Sequence, residues 1–312
     1  MKALITGGAG FIGSHVAEKF SKEGIEVFVI DNLSSGFLDN IPFIDKEHIF
    51  IKDVTDFNFV TELIKVYQFD YVIHLAAMVS VVETVEKPIE SNQVNIDSTI
   101  NLLEACRKWN SNLKKFIFAS SAAVYGDLPE LPKSVSQSYI CPLSPYAIQK
   151  FSGEQYVKIY NSLYNVPTSC LRFFNIYGPK QNPTSDYSGV LSILNNKFSH
   201  NQTFTFYGDG EQTRDFVYIN DLVAALWMVL NHSCTNGLIY NVGTGHQTTL
   251  KDVFKAFENS YGYSIPVRYE PPRVGDIKHS LADIKPLQQL GYTPQYTIST
   301  GIAAYLDHNK QH

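Results

Sequence analysis

The chain has 312 residues, 44% of them hydrophobic and 18% charged, with a net charge of −5. This composition excludes collagenous, coiled-coil and disordered chains, and at ~150 residues per domain it allows about two domains. The mild acidity leaves no electrostatic footprint for nucleic acid, and no apolar run approaches the ~20 residues needed to span a bilayer. Glycines arrive too early in Met1-Lys2-Ala3-Leu4-Ile5-Thr6-Gly7 for a signal-peptide core. Cys106, Cys141, Cys170 and Cys234 are widely spaced, which implies neither a metal site nor a disulfide framework and fits a cytoplasmic protein.

Taken in chain order, short apolar runs alternate with helical patterns. Strands are expected at Lys2–Thr6, 26–30, 48–52, 71–75, 115–119 and Thr168–Phe173. Helices are expected at 13–23, 60–67, 91–109 and Pro145–Tyr164, the last with proline at its start. This alternation predicts an α/β fold, a doubly wound parallel sheet with ligands at the carboxyl ends of its strands. After Phe174 the rhythm breaks. Residues 179–188 read as a polar loop, Val190–Ser199 and Ile219–Asn231 as helices, and 203–207 as a strand. Residues 238–242 read as the last strand of the sheet, and everything from Thr248 onward as mixed and turn-rich. The expected division is a Rossmann domain over 1–174, to which 213–245 adds a helix and a strand. A smaller mixed α/β domain takes 175–212 and 246–312.

Gly7-Gly8-Ala9-Gly10-Phe11-Ile12-Gly13 stands between the first strand and the first helix. Its glycines let the chain turn tightly and bring bare backbone to a pyrophosphate, with free N–H groups and the positive helix dipole behind. Asp31 ends the second strand, where an acid accepts ribose hydroxyls and repels a 2′-phosphate, so NAD is favoured over NADP. Asp53-Val54, after the third strand, is placed for the adenine edge. Leu75-Ala76-Ala77, after the fourth, leaves room for a flat ligand. His74, between Ile73 and Leu75, reads as a structural histidine.

Tyr146 and Lys150 share one helix face at i and i+4. A tyrosine of pKa ~10 is almost wholly protonated at neutral pH. A fixed cation nearby is expected to lower that pKa and make the phenol a base toward an alcohol. Ser121, at the end of the fifth strand, could bridge the phenol and a substrate oxygen.

Together these pieces resemble the extended short-chain dehydrogenase/reductases that act on nucleotide sugars. The resemblance rests on Thr6 to Gly13, Asp31-Asn32-Leu33-Ser34-Ser35-Gly36, His74-Leu75-Ala76-Ala77, Ser120-Ser121-Ala122-Ala123-Val124-Tyr125-Gly126, and Tyr146 with Lys150. It continues through Leu171-Arg172-Phe173-Phe174-Asn175-Ile176-Tyr177-Gly178-Pro179, Tyr207-Gly208-Asp209-Gly210, Arg214-Asp215-Phe216 and Arg273-Val274-Gly275-Asp276. Within that group the chain looks most like the UDP-hexose 4-epimerases, and among them the UDP-N-acetylglucosamine 4-epimerases. The resemblance implies Ser121, Tyr146 and Lys150 as catalytic residues. For NAD it implies Gly7, Gly10, Phe11, Ile12, Gly13, Asp31, Asn32, Ser34, Ser35, Gly36, Asp53, Val54, Leu75, Ala76, Ala77, Asn95, Tyr146, Lys150 and Phe174. For the UDP-sugar it implies Ser121, Ala122, Tyr146, Asn175, Val190, Thr205, Tyr207, Arg214, Arg273, Asp276 and Ser280. No metal is implied.

Sugar-nucleotide dehydratases and decarboxylases of this fold carry an acid after the catalytic serine or threonine, whereas this chain has Ala122-Ala123. Hydride can then only leave and return, inverting C4 through a transient 4-keto sugar. The resemblance implies that the position of Ser280 tends to be a bulky tyrosine in family members restricted to UDP-glucose and UDP-galactose. A small residue there implies interconversion of UDP-N-acetylglucosamine and UDP-N-acetylgalactosamine, alongside the non-acetylated pair. Three alternatives stay open: a decarboxylase or dehydratase, a lipid-diphosphate-sugar 4-epimerase, and a non-catalytic nucleotide sensor. A homodimer is expected by resemblance, through the 91–109 and Pro145–Tyr164 helices, with Ile96, Leu103, Tyr156 and Tyr160 as apolar residues in excess of one core face.

Overall fold

The computed structural model describes residues 1–182, 189–272 and 277–311. The first compact unit comprises residues 1–126, 140–172 and 226–240; the second comprises 127–139, 173–225 and 241–312. The strands β1 (Lys2–Thr6), β2 (Glu26–Asp31), β3 (Ile49–Ile51), β4 (Tyr71–His74), β5 (Lys115–Ser121) and β6 (Thr168–Phe173) belong to one seven-stranded sheet. Its order is β6-β5-β4-β1-β2-β3, with the strand Ile239–Val242 beside β6 at the outer edge. β1 pairs parallel with both β2 and β4, and β4 with β5. This is the doubly wound arrangement, with the order reversing at β1. β1 and β4 are almost continuously buried, as a sheet covered on both faces requires.

The helices follow their local chemistry. α1 (Phe11–Lys22) opens at Gly10 with no side-chain cap. α2 (Phe57–Tyr67) starts three residues before the expected 60 because the Asp56 side chain accepts from Phe59 N and caps it. α3 (Val81–Glu86), capped by Ser80, was not expected from the sequence. The single helix expected over 91–109 is instead α4 (Pro88–Asn92), a π turn at Gln93–Asp97, and α5 (Ser98–Trp109). Asn95 sits in that π turn. Its side chain accepts from Met78 N at 2.9 Å and donates to Met78 O at 3.0 Å and to Gln149 Oε1 at 2.7 Å. These bonds hold a wider turn than helix propensity would choose. α6 (Pro145–Tyr164) has the expected limits, with Ser144 accepting from Ala147 N and Asn165 closing it in the left-handed region.

In the second unit, β7 (Asn175–Tyr177) pairs parallel with Phe216–Tyr218. The strand Phe204–Tyr207 pairs parallel with Val267–Glu270, and Thr213–Arg214 pairs antiparallel with Thr248–Thr249. The helix α7 (Val190–Ser199) forms as expected, as does α8 (Ile219–Asn231). The region after Thr248 is more regular than the sequence reading allows. It holds α9 (Leu250–Tyr261), with a Thr249/Asp252 capping box and Gly262 at its C-cap, and later the helices Lys285–Gln289 and Ile298–Gln311. Among the described residues, no helix is long and apolar enough to cross a membrane.

Two of the four apolar residues expected at a dimer contact belong to the core instead. Leu103 is fully buried and Tyr160 nearly so, and both pack in the cluster with Phe116, Phe118 and Val157. Tyr156 is exposed, and Ile96 is half-buried.

Candidate active site

The glycine loop follows directly from β1. Gly7 has φ +71°, and a Cβ there would lie 2.9 Å from Ala76 N, so only glycine passes without strain. A Cβ on Gly13 would come within 2.1 Å of Gly7 O, which explains the bare first turn of α1. Asp31 accepts from Ala9 N at 2.9 Å and from Leu33 N at 2.8 Å. Its carboxylate thereby stitches β2 to the glycine loop and keeps acceptor capacity for further donors. Asn32 to Gly36 curl over the same loop. Phe37 N bonds Ala9 O at 3.0 Å, and a Cβ on Gly36 would meet Ala9 C at 2.8 Å. Ser34 N is held by Asn32 Oδ1, while Asn32 Nδ2 donates to Asp53 Oδ2 at 2.7 Å. Burial raises the Asp53 carboxyl, but bonds from Thr55 and Asn32 outweigh it and the net shift is downward.

The structure thus gathers Gly7, Gly10, Gly13, Asp31, Asn32, Ser34, Ser35, Gly36, Asp53 and Ala76 around one loop. Phe11 and Ile12 lie in the first turn of α1, and Leu75 and Ala77 flank Ala76. Val54 is packed into the hydrophobic core. Phe174, in the second unit, is buried and bonds Val242 O through its backbone N–H. The cradle has the features a dinucleotide needs: an uncapped helix start, backbone open to close approach, and an acid at the end of β2.

His74 is buried between Thr6 Oγ1 at 2.8 Å and Thr99 Oγ1 at 3.0 Å. Thr99 donates its own proton to Asn95 O, so it accepts from His74 Nε2–H, and Nδ1 accepts from Thr6. Burial, with the Lys150 cation adding, brings the His74 pKa down to about 3. A neutral structural histidine is what the sequence reading expects.

Ser121, Tyr146 and Lys150 come together at the end of β5. The Tyr146 phenol hydrogen-bonds the Ser121 side chain, and Ser121 Oγ also accepts from Ala123 N at 3.2 Å. Lys150 is buried, with Nζ donating to Ala119 O at 2.9 Å and lying 5.8 Å from the Tyr146 ring centroid. One expectation is corrected here. The sequence reading has Lys150 lowering the Tyr146 pKa. Instead burial pushes the phenol up, opposed only by the Ser121 hydrogen bond. Burial is the larger effect on the phenol, and Lys150, whose own pKa burial brings down to about 8, lies 5.8 Å from the ring centroid with its Nζ turned to Ala119 O.

The second unit contains a cavity of about 400 Å³. Five residues expected to bind substrate line it: Asn175, Val190, Thr205, Tyr207 and Arg214. Arg214 Nη1 donates to Thr213 O at 2.9 Å. The neighbouring Asp215 is buried and accepts from Thr244 N, Thr244 Oγ1, Gly245 N and Ala282 N. Sequence reasoning missed Ile193, Lys197, Phe204, Gln212, Phe216 and Leu250 in the same lining. Val190, Ile193 and Lys197 follow i, i+3, i+7 on α7, so helical spacing from Val190 could have found two of them. Ser280 is not in this lining. Its backbone N–H bonds Thr213 O at 3.1 Å, beside Arg214. Arg273 and Asp276 lie outside the described residues.

A doubly wound sheet with a glycine cradle at its switch point defines a dinucleotide-binding Rossmann protein. The model described as "NAD dependent epimerase/dehydratase family" matches residues 3–243, and the chain belongs to that family. Its cofactor is NAD. The chain is 39% identical over 300 residues to a putative UDP-glucose 4-epimerase of Methanocaldococcus jannaschii, covering 96% of this chain and 95% of that one. It superposes on the Thermotoga maritima UDP-glucose 4-epimerase, solved with UDP-glucose, at a TM-score of 0.93 and 33% identity, covering 100% and 99% of the two chains. A UDP-N-acetylglucosamine 4-epimerase from Methanobrevibacter ruminantium, solved with UDP-N-acetylmuramic acid, matches at a TM-score of 0.90 and 35% identity, with the same coverage.

Proposed function

We propose that this chain is a UDP-sugar 4-epimerase that interconverts UDP-N-acetylglucosamine and UDP-N-acetylgalactosamine, and the UDP-glucose/UDP-galactose pair as well. The observation that carries the reading is the hydrogen-bonded Ser121–Tyr146 pair beside buried Lys150, followed in the chain by Ala122-Ala123 rather than an acid. The epimerases among its relatives support it. Tyr146 takes the proton of the sugar's 4-hydroxyl and gives it back once the 4-keto sugar has turned about its link to the diphosphate. Ser121 donates to or accepts from the same oxygen and aims it at the phenol. Bound NAD supplies hydride acceptance, hydride return and the positive charge of its oxidised ring. Gly7, Gly10, Gly13, Asp31, Asn32, Asp53 and Lys150 are the residues we assign to hold it. The first unit takes the cofactor and the proton chemistry. The second takes the nucleotide half of the substrate, through Asn175, Thr205, Tyr207 and Arg214. Incubation with UDP-glucose and UDP-N-acetylglucosamine in parallel, read by proton NMR, tests this. Products inverted at C4 are expected, whereas a decarboxylated or dehydrated product would favour the neighbouring reactions of this fold.

The same reading includes a homodimer. Ile148, Tyr156, Ile159 and Leu163 are exposed and fall on one side of α6, and Val82, Val85 and Ile89 are exposed on α3 and α4, which pack against it. An apolar face of this kind marks an interaction surface. Light scattering at micromolar concentration is expected to give twice the chain mass, and Ile159→Glu with Leu163→Glu to give the single-chain mass. A monomeric wild type would contradict it.

A further inference from the structure

The buried network behind the Ser121–Tyr146 pair has no part in the proton chemistry above. Glu154 lies one turn beyond Lys150 on α6 and is 0% exposed. Its carboxylate is held by Arg172 of β6 in a two-pronged pair, Nε to Oε1 and Nη2 to Oε2, each at 2.7 Å. Oε1 also accepts from Ser120 Oγ at 2.5 Å. Ser120 immediately precedes Ser121 on β5. The Arg172 guanidinium lies 4.7 Å from the centroid of the Tyr125 ring. Tyr125 ends the short 3₁₀ turn Ala122–Tyr125, whose first residues are held by Ser121 Oγ. One ion pair therefore touches three elements: the strand end that carries Ser121, the turn that Ser121 caps, and the helix that carries Tyr146 and Lys150.

We propose that Glu154 is a positioning residue for the Ser121–Tyr146 pair, acting through the Ser120 hydroxyl, with Arg172 fixing its carboxylate. A carboxylate held by both guanidinium prongs has one orientation, so the third bond, from Ser120, sets the distance between the end of β5 and α6. Displacements of about an ångström at a reacting pair are costly to turnover, and a site needs its supporting shell locked to stay within tolerance.

Replacing Glu154 or Arg172 would strand a buried charge and put folding at risk, so the test acts on Ser120. This inference rests on the epimerase reading. Failure of wild-type protein to turn over either UDP-sugar would count against that reading alone, and the second readout below needs no turnover. In Ser120→Ala, kcat is expected to fall about tenfold or more, with KM and the unfolding midpoint close to wild type. Ser120→Thr keeps the hydroxyl and is expected to recover most of that loss. In protein labelled with 13C-tyrosine, the Tyr146 ring signal, identified by its disappearance in Tyr146→Phe, is expected to shift in Ser120→Ala and to return toward its place in Ser120→Thr. Wild-type kcat in Ser120→Ala would overturn the proposal, as would an unmoved Tyr146 signal. So would an equal loss in the Ala and Thr variants.

Discussion

Tyr146→Phe is expected to lose between about a hundredfold and ten-thousandfold of turnover while the fold and the cofactor cradle persist. The lower and upper figures are the ordinary range for removing a general acid–base group. The substitution deletes one oxygen and keeps the ring, so the packing over Lys150 survives. What disappears is the proposed proton acceptor and the partner of Ser121. Burial holds the phenol above its usual pKa, so in the chain alone it is protonated at neutral pH. Its basic form is favoured as pH rises, and turnover in the wild type is expected to rise with it. The Phe variant has no such rise from this group. Steady-state kinetics across pH, with circular dichroism as a folding control, check both points. More than about a third of wild-type turnover in the variant would remove Tyr146 from the mechanism.

Ser280→Tyr is expected to suppress the N-acetylated reaction by about 5- to 150-fold and to spare UDP-glucose and UDP-galactose. Ser280 is half-buried, and its backbone is bonded to Thr213, next to Arg214 in the cavity lining. A phenol at that position would compete for space with an acetamido group at C2 as the sugar turns. Overpacking of this kind typically costs ~1–3 kcal/mol, which is the stated factor. Ratios of kcat/KM for the two substrate pairs measure it. Equal losses on both pairs would show that residue 280 does not select for the acetamido group.

Much of the sheet was legible because its strands are buried on both faces and read as continuous apolar runs, as in Tyr71–His74 and Lys115–Ser121. The glycine loop was legible because its φ values and close backbone contacts admit little else. The π turn at Gln93–Asp97 was not, since it is held by tertiary bonds from Asn95 to Met78 and Gln149, partners distant in the chain. α9 was readable in principle: Thr249 and Asp252 form its capping box, and Leu250, Val253, Phe254 and Phe257 line its buried face. At the site, the Tyr146–Lys150 spacing was visible, but the direction of the Tyr146 shift was not, because the burial that sets it exists only in the folded chain. The Glu154–Arg172–Ser120 network was hidden for the same reason. Its members stand on three separate elements.

In the proposed reaction C4 is oxidised and reduced within a single turnover, and the hydrogen that leaves is the one that returns. UDP-N-acetylglucosamine carrying deuterium at C4, incubated with the enzyme in ordinary water, tests this most directly. The expected product is UDP-N-acetylgalactosamine with the deuterium still on the inverted C4, with no net reduction of NAD. Deuterium lost to water, or a product unchanged at C4, would contradict it.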